Sequence, residues 1–380
     1  MANVMKEFVE ANNSFLPSVY REIVKEEKGN ILVSPLSAET VLALTHSGCR
    51  GQTAEELRIA LHLPDDPAKI QSAVKAVLSE LSDLKTNEGC KLFIANKMYI
   101  RKDFSIKDEF QKIASEVYFS TSENIDFAMN VRAAETINSW VEKVTENKIK
   151  NLIHSQVLDE FTRVILVNAL YFKGAWIEKF HLTNTKKTKF YKSRNEVVKV
   201  DAMANRPSQN FSICISKELK AKLLQLPIHG DASMVFVLPD KRLGLADLES
   251  KIDKVFFPHV FYKTEVTVLL PKFKIEHQTN FTAILRNLGV HRIFSDDDAD
   301  LSGIAGEKGD LLVNEILQKT FIDVSEEGVE AAAATDLKIP IPYCGRKHRP
   351  QKFIADHPFI FYLKVKDMII FAGRVTEPYY

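Results

Sequence analysis

The sequence predicts an α+β protein. Apolar residues at helical spacing fill much of the first third of the chain, and long strand-like runs dominate the remainder. Early helices followed by long antiparallel strands are typical of this class. No repeat, low-complexity segment or flexible linker divides the chain, so we expect one interlocked domain over residues 1–380.

The helix predictions depend on apolar residues that recur every three or four positions. In residues 4–26 this stripe runs from Phe8 to Ile23. Ser34 and Pro35 supply a cap and a first-turn proline for the next helix. That helix and the remaining ones are predicted at 35–47, 53–61, 68–83, 106–118 and 130–148.

The strand predictions depend on short, strongly apolar runs. Residues 163–172 are almost entirely apolar, which predicts a central strand buried on both faces. Residues 358–365 and 368–375 flank Lys366-Asp367 and predict a hairpin. Further strands are predicted at 93–100, 233–238, 266–270 and 320–324.

Composition excludes several classes of partner. The 51 basic and 50 acidic residues balance, so neither nucleic acid nor an anionic membrane is expected to bind. No apolar run approaches the roughly 18 residues that a membrane helix needs. The four cysteines form no CxxC or Cys/His pattern, which predicts free thiols and neither a metal nor a cofactor: Cys49, Cys90, Cys214 and Cys344.

The compartment stays open at this stage. The chain begins without the apolar stretch of a signal peptide, so a native Met1 predicts an intracellular, cytoplasmic protein. A Met1 added in cloning would leave a secreted mature chain as the alternative. Three Asn-x-Ser/Thr sequons favour the second option only weakly, because such triplets are common by chance: Asn12, Asn210 and Asn280.

The chain carries no motif of an enzyme active site. A G-x-S-x-G elbow, an HExxH motif, a P-loop and a G-x-G-x-x-G loop are all missing from the sequence. Cys344 lies beside Arg346 and Lys347, which would lower the pKa of its thiol, but no base is placed by the sequence. We therefore expect a protein that is not an enzyme.

Residues 326–342 combine two conflicting signals. Core-compatible residues alternate with others as in a half-buried strand: Val329, Ala331, Ala333, Thr335, Leu337, Ile339 and Ile341. Four consecutive alanines nevertheless favour helix, and Pro340 and Pro342 close the run. The pattern predicts a segment that becomes a strand only under some conditions.

Five segments of the chain resemble known motifs of the serpins. They are Asn30–Ser37, Val167–Trp176, Leu270–Lys274, Phe321–Thr335 and Phe353–Leu363. The last is similar to the family's C-terminal signature at every comparable position, and the others resemble its second helix, two sheet strands and its loop hinge. Because they follow the family order and span roughly residues 8 to 375, the resemblance covers essentially the whole chain.

The resemblance implies a serpin fold with three β-sheets, eight or nine helices and an exposed reactive-centre loop at about 326–352. It also implies a suicide-substrate inhibitor, in which the cut loop enters the main sheet and holds the protease as an acyl-enzyme. The expected partner is a serine protease, or alternatively a papain-like cysteine protease, in a covalent 1:1 complex. We expect the inhibitor itself to be a monomer.

The resemblance assigns two groups of residues. The hinge comprises Glu326, Gly328, Val329, Glu330, Ala331, Ala332, Ala333 and Ala334. The region where the central strands part, the shutter and breach, comprises Ser34, Ser37, Asn168, Trp176, Lys272 and Gln318. Gln318 departs from the family's frequent histidine, which would remove any histidine pH dependence. Lys272 and Glu326 match a hinge ion pair, which we expect to be exposed and therefore weak.

The scissile bond is not fixed by the sequence. The usual inhibitory spacing from Gly328 leads to Pro342, and a one-residue offset gives Tyr343–Cys344, a chymotrypsin-like site. Counting back from Pro358 leads instead to Arg346 and Lys347, a trypsin-like site. The longer loop and its prolines keep an alternative function open, that of a non-inhibitory serpin acting as a chaperone, carrier or binding protein.

Overall fold

A computed structural model describes residues 2–82, 89–329 and 350–380. The helices in these ranges are α1 (Ala2–Glu26), α2 (Pro35–Gly48), α3 (Gly51–Ala60), α4 (Pro67–Ser82), α5 (Asp108–Glu116), α6 (Asn130–Val144), α7 (Leu245–Glu249), α8 (Ile252–Phe256) and α9 (Phe281–Asn287). No helix in the described part of the chain is both long and apolar enough to traverse a bilayer.

The strands in these ranges fall into two hydrogen-bonded sheets. They are β1 (Ile31–Val33), β2 (Cys90–Arg101), β3 (Thr121–Ile125), β4 (Val164–Ala175), β5 (Lys186–Tyr191), β6 (Val197–Ala204), β7 (Asn210–Ser216), β8 (Ala221–Ile228), β9 (Ala232–Pro239), β10 (Tyr262–Pro271), β11 (Phe273–Asn280), β12 (Val313–Ser325), β13 (Gly328–Val329), β14 (Gln351–Ile354), β15 (Phe359–Val365) and β16 (Met368–Val375).

The six-stranded sheet carries the candidate site. Its order is β11-β12-β13-β4-β2-β3. Strands β4 and β12 pair in parallel from Val313–Val164 to Phe321–Tyr171. Beyond that point they diverge, and the short strand β13 lies between them, antiparallel to both. The sheet is therefore closed along most of its length and open at one end.

The larger sheet consists of two parts that share strand β10. The first half of β10 pairs with β7 and continues the order β1-β16-β15-β9-β8-β7. Its second half pairs with β6 and with β14, and β5 follows at the edge. Counting these two parts and the six-stranded sheet gives the three sheets that the resemblance implied, and the predicted α+β serpin fold is confirmed.

Both faces of β4 are covered. Alternate residues such as Leu166 and Leu170 face the main core, which contains α1 and α2. The residues between them, such as Val167 and Tyr171, pack under α6 around Ile137. This double burial explains why residues 163–172 have no polar alternation and confirms the prediction of a central strand.

One carboxylic acid lies deep in the main core. Glu39 on α2 has no exposed surface, and neither carboxyl oxygen has a hydrogen-bond partner among the described residues. Burial raises the pKa of this carboxyl well above its ordinary value of 4.5. The folded protein therefore holds Glu39 protonated at pH values where the unfolded chain ionises it, so this group makes the fold less stable as pH rises.

We predict that Glu39→Gln removes this pH dependence. The free energy of unfolding of the variant, relative to the natural chain, should increase above about pH 4.5 by at most about 1.4 kcal/mol per pH unit. Urea unfolding at pH 5 and pH 8 measures the difference. The exposed Glu116→Gln on α5 is the control, and equal pH dependence in all three proteins would contradict the prediction.

Candidate functional site

The hinge enters the open end of the six-stranded sheet. Gly328 pairs with Ser325 on one side and Ala175 on the other, and Val329 pairs with Val324 and Gly174. The Val329 side chain is fully buried against the main core. The first two residues of the predicted reserve strand therefore already occupy strand positions.

Only glycine fits at position 328. Its φ of +147° is a conformation that L side chains rarely adopt. A Cβ there would lie 2.1 Å from the carbonyl oxygen of Gly174, which is backbone and cannot move aside. The sequence reason for Gly328 is thus the close passage of the hinge beside β4.

The chain before the hinge is held by Trp176 and its neighbours. The Trp176 indole donates to the Ser325 carbonyl at 2.9 Å, and its backbone N–H donates to the Glu327 carbonyl at 3.1 Å. Lys179 forms an ion pair with the Glu327 carboxylate at 2.8 Å. Trp176 therefore fixes the turn that leads from β12 into β13.

The Lys272–Glu326 ion pair is more buried than the sequence suggested. The lysine Nζ lies 3.1 Å from the carboxylate, and only 14% and 8% of the two side chains are exposed. Thr185 donates to Glu326 at 2.7 Å, and the Tyr380 ring covers the Lys272 Nζ at 3.8 Å from the ring centroid. The expectation of an exposed, weak pair was wrong, because Tyr380 and Thr185 exclude water from it.

The electrostatics of Glu326 reflect this setting. Burial alone would raise the pKa of its carboxyl, but the hydrogen bonds from Thr185 and the backbone and the charge of Lys272 outweigh it, and the pKa is lowered. Glu326 is therefore an ionised acceptor at the entrance of the sheet.

A buried polar network joins the two central strands farther down. Gln318 on β12 donates to the Asn168 Oδ1 on β4 at 2.6 Å and to the Ser34 carbonyl at 2.9 Å. It also accepts from the Ser34 backbone N–H at 2.9 Å. Ser37 and Asn96 complete the network through hydrogen bonds with Asn168 and with each other. The four shutter residues predicted from the sequence thus lie in one cluster.

Three residues of the site were not predicted. Asn96 interrupts the apolar strand 93–100, and a lone amide in such a run signals a buried hydrogen-bond partner. Thr185 and Tyr380 gave no signal, because they reach Glu326 and Lys272 from distant parts of the chain.

The remaining predicted positions cannot be located. Glu330, the four alanines at 331–334 and both candidate scissile bonds lie outside the described residues: Tyr343, Cys344, Arg346 and Lys347. Downstream, Gln351 and Lys352 are part of β14, which pairs in parallel with β10. Within 2–82, 89–329 and 350–380, no group of three His, Cys, Asp or Glu residues is placed to hold a metal.

Comparison with known proteins identifies the family. Residues 10–378 match the family model described as Serpin (serine protease inhibitor). The chain is 36% identical over 380 residues to antichymotrypsin-2 of Bombyx mori, covering 98% of each chain. It is also 36% identical over 380 residues to antitrypsin of the same species, covering 98% of this chain and 94% of the relative.

A solved structure supports the same assignment. The crystal structure of Serpin48, a highly specific serpin of the insect Tenebrio molitor, matches with a TM-score of 0.92 and 53% identity, covering 98% of this chain and 99% of the other. The chain belongs to the serpin family. Serpins are protease inhibitors and not catalysts, which agrees with the missing catalytic motifs.

We predict that Gly328→Ala drives the hinge out of the sheet. The added Cβ collides with the Gly174 carbonyl, so residues 328–329 should leave their positions and the Trp176 indole should lose its fixed acceptor. Tryptophan emission reports this once Trp140, the other tryptophan, is changed to Phe. Gly29→Ala is the matched control, since nothing lies within 4 Å of a Cβ there. Identical spectra for the two variants would count against the prediction.

Proposed function

We propose that this serpin inhibits serine proteases by inserting its cut reactive loop between β12 and β4. Insertion of a serpin loop into its own sheet is a standard example of β-strand addition. The observation that carries the proposal for this chain is Val329, which is already buried between the two strands in antiparallel register.

Continuing this register brings compatible residues into the sheet. The faces alternate, so Ala331, Ala333 and Thr335 would follow Val329 toward the main core. Thr335, six residues after Val329, would lie between Gln318 and Asn168, which are six residues before Val324 and Gly174. A threonine hydroxyl both donates and accepts, so it suits a position between two amides.

The same register defines what must break. The parallel pairs between β4 and β12 have to separate, and with them the hydrogen bond from Gln318 to Asn168. Alanines at four consecutive positions let the entering strand pass with few steric contacts. Each old ladder bond is replaced by bonds to the inserted strand on both sides, so insertion adds backbone hydrogen bonds overall.

Trapping would use the protease's own chemistry. The catalytic serine of the protease attacks the carbonyl of the residue before the scissile bond, forms an ester and releases the new amine end of the loop. Insertion of the loop then carries the esterified protease along the sheet, and its distorted active site no longer hydrolyses the ester. The product is a covalent 1:1 complex.

We predict that Val329→Arg abolishes trapping while the loop remains cleavable. An arginine at this position would have to bury an unpaired charge in the main core. Denaturing electrophoresis after incubation with chymotrypsin or trypsin should show a covalent complex for the natural chain and only the cut inhibitor for the variant. Complete cleavage of the natural chain without any complex would exclude inhibition.

The target class depends on the scissile bond. The two silkworm relatives of equal identity are named for chymotrypsin and for trypsin, so they do not decide between the sites. We propose Tyr343–Cys344 first and Arg346–Lys347 as the alternative, with a serine protease as target and a cysteine protease as the second class.

We predict that Tyr343→Ala lowers complex formation with chymotrypsin by at least about tenfold, because the pocket that selects the aromatic residue is left empty. Arg346→Ala and Lys347→Ala should leave that reaction unchanged. Mass spectrometry of the released fragment gives the bond directly. A fragment that begins at Cys344 supports the first site, and one that begins at Lys347 or His348 transfers the assignment to the basic pair.

A specific observation favours the non-inhibitory alternative. The continued register would place Asp336 between Leu317 and Val167, under α6, where the described side chains are apolar. Burial of an unpaired carboxylate opposes insertion, and Pro340 and Pro342 cannot donate to the ladder. A chain that is cut without gaining thermal stability would act as a chaperone, carrier or binding protein.

A further inference from the structure

Four charged residues form a row across the open end of the six-stranded sheet. Lys91 on β2 lies directly opposite Lys173 on β4, and Asp323 on β12 lies opposite Lys274 on β11. Strand alternation places all four on the α6 side, the face that carries Phe93, Tyr171 and Phe321. We call Lys91, Lys173, Asp323 and Lys274 the entry row.

The two lysines at one end of this row lack a counter-charge. Lys91 and Lys173 are half-buried, and neither forms an ion pair with any described residue. Like charges directly opposite each other in an antiparallel pair destabilise a sheet. The arrangement therefore costs stability in the uncut protein unless an anion approaches it.

The entry row marks the point where the central strands diverge. One step below it, Phe321 and Tyr171 still pair directly across β12 and β4. One step above it, Val329 separates Val324 from Gly174. Between Asp323 and Lys173 lies the first position that any further insertion must fill.

We propose that Lys173, supported by Lys91, is a docking site for the carboxylate of Glu330 and positions the first step of loop insertion. This inference rests on the proposed inhibitory function. Glu330 is the next residue after Val329, and the register of β13 points it to the gap between Lys173 and Asp323. Alternation directs its side chain to the lysine face, opposite to that of Val329.

The neighbouring charges favour this occupant. Without Glu330 the entry row carries three positive charges and one negative charge, and the excess lies at the lysine end. Asp323 repels an entering carboxylate, but Lys274 directly opposite offsets that charge on the other side. A glutamate that enters next to Lys173 therefore meets the two unneutralised cations and removes part of the repulsion between them.

The test is the partition between trapping and cleavage. Purified full-length protein is mixed with chymotrypsin, and the covalent complex and the cut, untrapped inhibitor are quantified at 50 and 500 mM NaCl. We expect Lys173→Gln and Glu330→Gln each to raise the cut fraction about 1.5- to 5-fold at low salt, the range of one cross-strand charge pair. High salt should bring the natural chain close to the variants.

The charge exchange provides the decisive control. Lys173→Glu combined with Glu330→Lys restores an opposite-charge pair and should return the partition to within twofold of the natural chain, whereas each single reversal should not. Lys199→Gln is the matched control, because Lys199 lies opposite Lys189 in an exposed like-charge pair between β6 and β5. Uncut Lys173→Gln should unfold at no lower temperature than the natural chain, since it removes a repulsion.

The outcomes separate this inference from the proposed function. Normal trapping by the natural chain with no change in Lys173→Gln, or a charge exchange no better than either single reversal, overturns the docking site alone. A greater effect of sulfate than of chloride at equal ionic strength, retained in Glu330→Gln, would assign the lysines to an external anion and overturn it as well. A natural chain that neither traps protease nor gains thermal stability on cleavage overturns both.

Discussion

The parallel pairing of β4 with β12 is the constraint on which the rest of this structure depends. Nine residues of β12, from Val313 to Phe321, lie beside β4, and the polar network of Gln318 and Asn168 crosses the seam between the strands. Both faces of β4 are buried, so the seam is also the boundary shared by the two apolar cores. Any strand that enters must open backbone pairs, a side-chain network and two packed layers together. This requirement explains how a closed sheet can persist beside a segment that matches it.

The open end of the sheet shows how that closed state is prepared for change. Gly328 alone permits the close passage beside Gly174, and Val329 behind it already fills a core position. Trp176, Lys179 and the Lys272–Glu326 pair hold the preceding turn. The entry of further residues thus needs no new turn, because the chain has already reversed direction. What remains is to widen an existing fork.

The sequence predicted those parts of the molecule that local patterns determine. The apolar run 163–172 identified the central strand, and alternation from Val329 identified the face that turns to the core. The burial of Lys272 could not be predicted, because it depends on Tyr380, which lies 108 positions away in the chain (380 − 272). Strand β11 was also missed, since its alternating charged residues resemble a solvated loop until β12 lies beside it. Gln318 illustrates both cases: its position was predictable, but its three hydrogen bonds with Ser34 and Asn168 depend on the tertiary fold.

The sharing of β10 between two parts of the larger sheet has a consequence for reversibility. The described chain resumes at position 350 and enters β14 beside β10, and β15 and β16 then run through the interior of the larger sheet. A cut between 329 and 350 would leave residues 350–380 as a separate polypeptide that is still embedded in the core. The piece before the cut belongs to the six-stranded sheet, and the piece after it belongs to the other. Two ends that fold into different sheets have no route back to each other, so the molecule works once, and its spent form is a nicked protein that stays whole without a covalent link.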